Sequence, residues 1–256
     1  MKIIVAIKQV PERDVHLRID STGKWIDEAD MQWALNESDA YALEEALQLK
    51  EKHGGEVVVV SAGPERVGST IREALAKGAD RGIQIDGDDL GQKDALGVAQ
   101  LLAGAIKQES ADLILTGLQS DDLGYGQTGV ILAELLDMPH ASLILHVEKN
   151  DNILTVKREL EGGWFQTIEL SLPAVLTIQS GGNKLRYATL MGIKRAKTKE
   201  IRRVSSADLG AGSIRAAMLE RITLPQKQKT TQILPGSPKE AAIALAEKLK
   251  FEARVL

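Results

Sequence analysis

The chain has 256 residues, enough for one large core or for one core with an appended segment. Its net charge of −4 gives no global reason to expect nucleic acid or an anionic membrane as a partner. The sequence contains no cysteine, which excludes disulfides, thiolate catalysis and cysteine-bound metal centres. It opens without a signal segment and has no apolar run long enough to cross a bilayer, so we expect a cytoplasmic protein without membrane insertion.

Strand and helix patterns alternate through the first half of the chain. Short apolar runs predict buried strands, and apolar residues at helical spacing predict helices between them. The predicted strands are Lys2–Val10, Glu56–Val60, Gly82–Asp86 and Leu113–Leu115, and the predicted helices are Tyr41–Lys52, Thr70–Lys77, Asp94–Gln108 and Gln127–Leu136. This alternation predicts the α/β class, with a doubly wound, mainly parallel, Rossmann-like sheet.

After Pro139 the pattern changes to four strand-like runs with no helix between them. These runs are Ser142–Glu148, Ile153–Glu159, Phe165–Leu170 and Ala174–Ile178, and we expect them to form an antiparallel extension of the sheet. From Gly181 the sequence becomes irregular, basic and then polar, until a final helix is predicted over Pro238–Lys250. So long a stretch with little secondary-structure signal is expected to wrap another chain or to be disordered in isolation.

The stretch from Asp112 to Leu136 carries the strongest functional signal. A buried strand, a loop dense in glycine and aspartate, and a helix start follow one another, an arrangement that directs backbone N–H groups and a helix dipole at an anion. Residues 124–129, GYGQTG, have the spacing G-x-G-x-x-G, although the preceding loop is long and no acidic residue follows at the distance of a ribose partner. A solvent-exposed glycine loop is the alternative. We favour a phosphate cradle formed by Gly124, Gly126, Gln127, Thr128 and nearby backbone amides.

In parallel sheets, ligands bind outside the carboxyl ends of the strands. Three predicted loops are expected at that edge, Ala6–Val10, Ser61–Gly63 and Gly117–Thr128, with the helix-capping segment at Asn36 nearby. The sequence therefore predicts a nucleotide site built from separate parts of the chain.

Other chemistries find less support. The four histidines are scattered, and no G-x-S-x-G motif occurs. Asp121 and Asp122 could serve acid–base catalysis or bind magnesium, but beside a phosphate loop they could equally bond ribose hydroxyls or cap the helix. The basic run Lys194–Arg203 could bind nucleic acid, but the acidity of the chain favours a docking or solvated surface.

Several segments together resemble the β subunit of electron-transfer flavoprotein. They include the opening VAIKQVP, the helix segment NESDAYALEEALQLKEK, the loop VVSAGP and the run IREALAKGADRGI. The most specific piece runs from Val156 to Thr177, with a basic residue, an acidic and glycine cluster, and a distal Pro-Ala-Val. Asn183–Leu190 is similar to the segment that precedes the family's partner-recognition helix, and the likeness covers nearly the whole chain.

The resemblance implies an electron-carrier subunit, not an enzyme, that pairs with an α subunit holding most of the redox-active FAD site. It implies a structural AMP in this chain, electron donors that are acyl-CoA or other flavin dehydrogenases, and a membrane quinone oxidoreductase as acceptor. By position, the residues lining the AMP site would be Ala6, Asn36, Glu37, Ser38, Asp39, Ala62, Gly117, Gln119, Asp121, Asp122, Leu123, Gly124, Tyr125, Gly126, Gln127 and Thr128.

The resemblance also implies an anchor and a division of the chain. Leu190 would insert into a pocket of partner dehydrogenases, and Arg13 would lie near the flavin. Residues 1–185 would form the nucleotide-binding domain with its extension, residues 186–200 the partner-recognition segment, and residues 201–256 a C-terminal arm and helix packing on the α subunit.

Two alternatives remain open. Some relatives bind a second FAD in place of AMP and bifurcate electrons from NADH. Their loop typically reads Val-Gly-Pro after the glutamine, whereas Thr128-Gly129-Val130 follows Gln127 here, which favours AMP. A stand-alone nucleotide-binding regulator of the universal-stress type shares the α/β layout, but it has no use for the four-strand insert or the long arm.

Overall fold

The computed structural model describes residues 1–87, 90–210, 217–225 and 231–255. The chain forms two compact units, Met1–Arg221 and Ile222–Leu256. The first unit contains the sheet described below, and the second contains one described helix, Pro238–Phe251. Parts of the predicted C-terminal arm, residues 211–216, 226–230 and 256, lie outside the described residues.

Strands and helices alternate through the first unit. Over the described residues the strands are β1 (Lys2–Ala6), β2 (Gln9–Pro11), β3 (Trp33–Leu35), β4 (Glu56–Ala62), β5 (Arg81–Asp86), β6 (Leu113–Gly117), β7 (His140–Asn150), β8 (Ile153–Glu159), β9 (Phe165–Ser171), β10 (Ala174–Ile178) and β11 (Ile201–Ser205). The α-helices are α1 (Glu37–His53), α2 (Val67–Lys77), α3 (Ala95–Lys107), α4 (Thr128–Leu135), α5 (Leu190–Ala196) and α6 (Pro238–Phe251).

Nine strands form one mixed sheet in the order β11-β5-β4-β1-β6-β10-β7-β8-β9. Neighbours from β11 to β7 are parallel, and β7, β8 and β9 are antiparallel. The central strands are continuous apolar runs because helices cover both faces of the sheet. Ile3 faces a core with Leu43 of α1 and Ile71 of α2, whereas the next residue, Ile4, faces a core with Leu102 of α3. The predicted α/β class and mainly parallel sheet are confirmed.

The first predicted strand, Lys2–Val10, is wrong in its length. Strand β1 ends at Ala6, and β2 begins at Gln9 in a separate antiparallel pair with β3. The break lies at Lys8, whose N–H donates to Asp39 Oδ2 at 2.7 Å and whose carbonyl accepts from the Asn36 N–H at 3.0 Å. At Lys8 the backbone therefore bonds the start of α1 and does not continue the sheet.

The predicted antiparallel extension is wrong for its last run. Strand β10 lies between β6 and β7 and is parallel to both, with Leu176 paired to Leu115 and to Ala141. All five residues of β10 are buried, which is what a central parallel strand requires. The first three runs do form the antiparallel part of the sheet.

The region after Gly181 contains more regular structure than the sequence indicates. Helix α5 follows that glycine, and β11 extends the sheet beside β5, with Ile201 paired to Gly82. The first residues of the predicted arm therefore belong to the main sheet, while the proposed three-part division of the chain stays a prediction. The final helix is confirmed as α6, where Ser237 and Glu240 form a capping box around Pro238.

Candidate functional site

The carboxyl ends of β1, β4 and β6 lie side by side because these strands are parallel neighbours. Ala6 is paired with Val60 of β4 and with Thr116 of β6, so Ala6, Ala62 and Gly117 end their strands at one edge of the sheet. Two of these strand ends, Ala6 and Ala62, carry only a methyl side chain, and the third, Gly117, carries none. The three loops expected to meet at this edge do so.

Asp39, in the first turn of α1, joins two of these strand ends. Its Oδ1 accepts the Gly117 N–H at 2.9 Å, and its Oδ2 accepts the Lys8 N–H at 2.7 Å. Burial raises the pKa of Asp39 to about 7, although both backbone hydrogen bonds oppose that rise. Gly117 leaves no room for a side chain, because a Cβ there would overlap Ser38 Oγ and Asp39 Oδ1. Glycine therefore permits the end of β6 to approach α1.

Asn36 and Ser38 fasten the next loop, residues 118–127, to the start of α1. The Asn36 Nδ2 donates to the Gln119 carbonyl at 2.9 Å, and its Oδ1 accepts the Asp121 N–H at 2.9 Å. The Ser38 hydroxyl donates to the same Gln119 carbonyl at 2.7 Å. Asn36 does not cap its own helix; instead, the Glu37 N–H donates to Asp121 Oδ2 at 3.3 Å.

Both aspartates of the loop are paired with cations. Lys8 Nζ donates to the two carboxylate oxygens of Asp122 at 2.6 and 2.7 Å. Arg13 donates to Asp121 Oδ1 at 3.2 Å and also pairs with Glu37. These pairs reduce the negative charge that would repel a phosphate. Among the described residues, no group of three or more histidines and carboxylates is arranged to hold a metal ion.

The sequence predicts the loop Ala6–Val10 at this edge but gives the Lys8 side chain within it no role. The available signal was a lysine just beyond a buried strand whose end is expected at the ligand edge. Its partner, Asp122, is 114 positions away, so the pair itself is invisible in the sequence.

The three glycines of the G-x-G-x-x-G hexapeptide serve two purposes. Gly124 and Gly126 both have φ of +63°, the left-handed region that glycine adopts without strain, and a Cβ at either would lie 3.8 Å or more from the nearest atom. At Gly129 a Cβ would lie 2.5 Å from Thr116 Oγ1 and 2.6 Å from Thr177 Cγ2. Gly129 therefore lets α4 pack directly on β6 and β10.

The N-terminus of α4 carries no side-chain cap, and its first turn contains no acidic residue. The first N–H groups of a helix have no partner within the helix, and they favour an anion. Because this terminus follows the two left-handed glycines, the arrangement can bind a phosphate-sized anion.

The remaining predicted residues lie on the same edge. Gln119, Leu123, Tyr125 and Gln127 have exposed side chains on the loop, and Thr128 begins α4. The predicted anchor Leu190 is elsewhere, at the start of α5, and 87% of its side chain is exposed. The structure thus brings the predicted nucleotide residues together and separates the anchor from them.

These features define the class of protein. It is a doubly wound α/β domain in which hydrogen bonds hold the strand-end loops beside a glycine-rich segment. The sequence pattern of the electron transfer flavoprotein domain matches residues 24–209. The chain is 43% identical over 252 residues to the electron transfer flavoprotein subunit beta of Methylophilus methylotrophus, covering 94% of this chain and 96% of that protein. Against the subunit beta of Bacillus subtilis (strain 168) it is 37% identical over 261 residues, with both chains covered completely.

The subunit beta of Homo sapiens is 36% identical over 261 residues, covering 100% of this chain and 99% of that protein. The chain therefore belongs to the electron transfer flavoprotein family, as a subunit of the beta type. The resemblance found in the sequence is confirmed. No helix among the described residues is both long and apolar enough to cross a membrane.

Proposed function

We propose that this chain is the electron-carrier β subunit of a heterodimer and catalyses no bond-making step of its own. The observation that carries the proposal is the uncapped start of α4, which follows two left-handed glycines beside carboxylates that are paired with Lys8 and Arg13. That arrangement suits a bound nucleotide phosphate. The beta-subunit relatives support pairing with an α subunit.

The proposed nucleotide of this chain is AMP, in a structural role. Its phosphate would accept hydrogen bonds from the N–H groups at the start of α4 and from the Gln127 and Thr128 side chains. Asn36, Ser38 and Asp39 would act on AMP indirectly, because their polar atoms already bond the backbone of the loop and strand ends. The further lining residues would be Ala6, Glu37, Ala62, Gly117, Gln119, Asp121, Asp122, Leu123, Gly124, Tyr125 and Gly126.

FAD, held mainly by the α subunit, would supply the acceptance and release of electrons. The contribution of this chain would be the surface against which the α subunit holds the flavin. Arg13 would lie on this surface, where it is 62% exposed and its guanidinium pairs with the carboxylates of Glu37 and Asp121.

The proposed electron donors are acyl-CoA or other flavin dehydrogenases, and the proposed acceptor is a membrane quinone oxidoreductase. Leu190 would be the anchor for the dehydrogenases, since apolar side chains that fill a partner's pocket supply much of the binding energy of an interface. Met191 and Ile193 are also exposed, by 57% and 46%. Lys194 and Arg195 follow on the same short helix, which suits a partner pocket with an acidic rim.

The test is co-expression with an α subunit, followed by denaturation and chromatographic identification of the released nucleotides. One FAD and one AMP per heterodimer are expected. Two FAD and no AMP would replace the proposal with the bifurcating alternative, which the Thr128-Gly129-Val130 sequence does not favour. AMP or ATP bound without any partner or flavin would indicate the stand-alone regulator.

A further inference from the structure

One arginine attaches the segment between β10 and α5 to helix α1. Arg186 Nε and Nη2 donate to the two carboxylate oxygens of Glu44 at 2.8 and 2.9 Å. Its Nη1 and Nη2 donate to those of Glu51 at 2.6 and 3.2 Å. A single guanidinium thus makes bidentate contacts with two carboxylates that are spaced to lie on one face of α1.

The inner of these two pairs is largely removed from water. The Glu44 side chain is 5% exposed and that of Arg186 is 28% exposed. Burial by itself would raise the pKa of Glu44, but the hydrogen bonds from Arg186 and Gln48 outweigh it and hold that pKa below its usual value. Glu44 is therefore charged at neutral pH, and a buried charge keeps its partner in place because separation leaves it uncompensated.

Further contacts fix the chain on either side of Arg186. Asn183 Nδ2 donates to Glu45 Oε2 at 3.1 Å, one residue along α1 from Glu44. Before it, Gly182 passes so close to the Leu145 carbonyl that a Cβ would overlap that oxygen. The path from β10 to Arg186 is thus determined before the chain reaches α5.

Helix α5 is fixed at its far end as well. Arg72 Nη1 donates to the carbonyls of Ala196 and Lys199, both at 2.6 Å. At the near end Thr189 caps the helix by accepting the Gly192 N–H at 3.0 Å. Leu190 therefore projects from a short helix held between Arg186, four residues before it, and the contacts of Arg72.

We propose that Arg186 is a positioning residue for partner recognition, holding residues 183–189 on α1 so that Leu190 projects from one fixed place. The inference rests on the proposed role of Leu190 as the anchor. An anchor held in its binding position associates more tightly than a mobile one, because less conformational freedom is lost when the complex forms. Although Arg186 lies in the predicted partner-recognition segment, its guanidinium contacts Glu44 and Glu51 of α1, so its loss would weaken docking through the position of Leu190.

The test uses the heterodimer with its α subunit and an acyl-CoA dehydrogenase reduced by its acyl-CoA substrate, with electron transfer to the heterodimer followed optically. Arg186→Lys keeps the charge but cannot make two bidentate contacts. We expect this change to raise the KM for the heterodimer roughly tenfold, a loss of about 1.4 kcal/mol in docking, while the rate at saturation and the FAD content stay unchanged. Arg81→Lys, which weakens a comparable set of contacts from one arginine to two carboxylates at the start of β5, is the matched control and should leave KM unchanged.

Leu190→Ala distinguishes the docking role of Leu190 from the positioning role of Arg186. If it leaves KM unchanged, the proposed docking role fails; if it raises KM while Arg186→Lys does not, only the positioning role fails. Because Arg186 acts through Leu190, the double variant should dock no worse than Leu190→Ala alone. Additive losses would mean that Arg186 does not act through Leu190 and would overturn the inference.

Hydrogen exchange supplies a readout independent of turnover. In Arg186→Lys, amides of residues 183–196 should lose protection from exchange while those of β1 and β6 keep it.

If Arg186→Lys prevents assembly of the heterodimer, Glu51→Gln replaces it as the test variant, since that change leaves the buried pair of Arg186 with Glu44 intact. A KM raised about twofold is then expected, and an unchanged KM would overturn the inference.

Discussion

The two edges of the parallel sheet use charged side chains in different ways. At the amino edge, side chains bond one another: Arg81 donates to Glu56 at 2.7 Å and to Glu109 at 2.6 Å, and Arg202 donates to Glu109 at 2.8 Å. Arg81, Glu56 and Arg202 lie at or next to the beginnings of the neighbouring strands β5, β4 and β11, and Glu109 follows the end of α3. Carboxylates at this edge also accept backbone N–H groups, Asp112 that of Lys2 at 2.7 Å and Asp80 that of Val57 at 2.8 Å, so these contacts join one strand start to the next.

At the carboxyl edge the polar side chains bond the backbone of a strand end and of the long loop after β6. Asp39 accepts the N–H groups of Lys8 and Gly117, and Asn36 both donates to and accepts from the loop after β6. Bonds between strand starts hold the strands together, whereas bonds to residues 118–127 determine the path of a loop. The amino edge therefore stabilises the sheet, and the carboxyl edge gives the candidate site its shape.

The largest expected effect concerns pH, because the two edges should respond with opposite sign. The pKa of Asp39 is raised from 3.8 to about 7, so the stability that its neutral form contributes is present at pH 4 and lost as the pH rises through 7. The change in the free energy of unfolding is on the order of 4 kcal/mol. Measured by urea unfolding from pH 4 to 8, Asp39→Asn should lose this decline.

Glu109 provides the contrast for the pH experiment. Arg81 holds the pKa of Glu109 below its usual value, so its contribution to stability is present at neutral pH and is lost as the pH falls through that lowered pKa. Glu109→Gln should therefore differ most from the parent chain at neutral pH. Parallel pH profiles for the parent chain and Asp39→Asn would contradict the assignment of a raised pKa to Asp39.

The second effect tests the close approach at the carboxyl edge. Gly117→Ala places a Cβ against Ser38 Oγ and Asp39 Oδ1, and the overpacking should lower the free energy of unfolding by about 3 kcal/mol. Bound nucleotide, measured after denaturation of the heterodimer, should also be lost. Gly124→Ala places its Cβ in open space, so the positive φ is the source of strain. This change should lower the free energy of unfolding by about 1 kcal/mol. Equal effects of the two changes would show that close packing at Gly117 is unimportant.

The third effect belongs to the amino edge. Arg81→Gln removes charge-assisted hydrogen bonds to Glu56 and to the nearly buried Glu109, while Arg202 and Lys2 remain beside Glu109. We expect a loss of about 2 kcal/mol in the free energy of unfolding, followed in urea. Nucleotide content should stay unchanged, and its loss would show that the two edges are not independent.

The smallest effect is expected at the rim of the carboxyl edge. Arg13 bonds side chains only, and it is largely exposed. Arg13→Ala should leave the urea midpoint unchanged at both low and high salt, since exposed pairs contribute little and are screened. A clear shift in the midpoint would place Arg13 among the groups that hold the loop.

The sequence predicts this edge because alternating strands and helices determine which loops share it. That rule alone predicts Ala6, Ala62 and Gly117 there, and the parallel pairing of β1 with β4 and β6 confirms it. The order of the strands in the sheet does not follow from this rule. The run Ala174–Ile178 looks like its three predecessors, and its position between β6 and β7 depends on pairing with distant strands.

Side-chain partners are the least predictable feature for the same reason. Asp39 bonds Gly117 across 78 positions, and Arg186 bonds Glu44 across 142. Hydrophobic periodicity reports only which face of an element is buried. It contains no information about which carboxylate on one helix will receive a guanidinium from a distant segment.

The late position of β10 and β11 in the chain has a consequence for synthesis. Until the ribosome has produced Ala174–Ile178, the place between β6 and β7 is vacant, and β5 lacks the neighbour that Ile201–Ser205 later provides. Pairings between such distant segments form slowly, and open apolar strand edges favour aggregation in the meantime. The sheet can therefore be completed only after Ser205 has been synthesised, well after its central strands β1, β4 and β6.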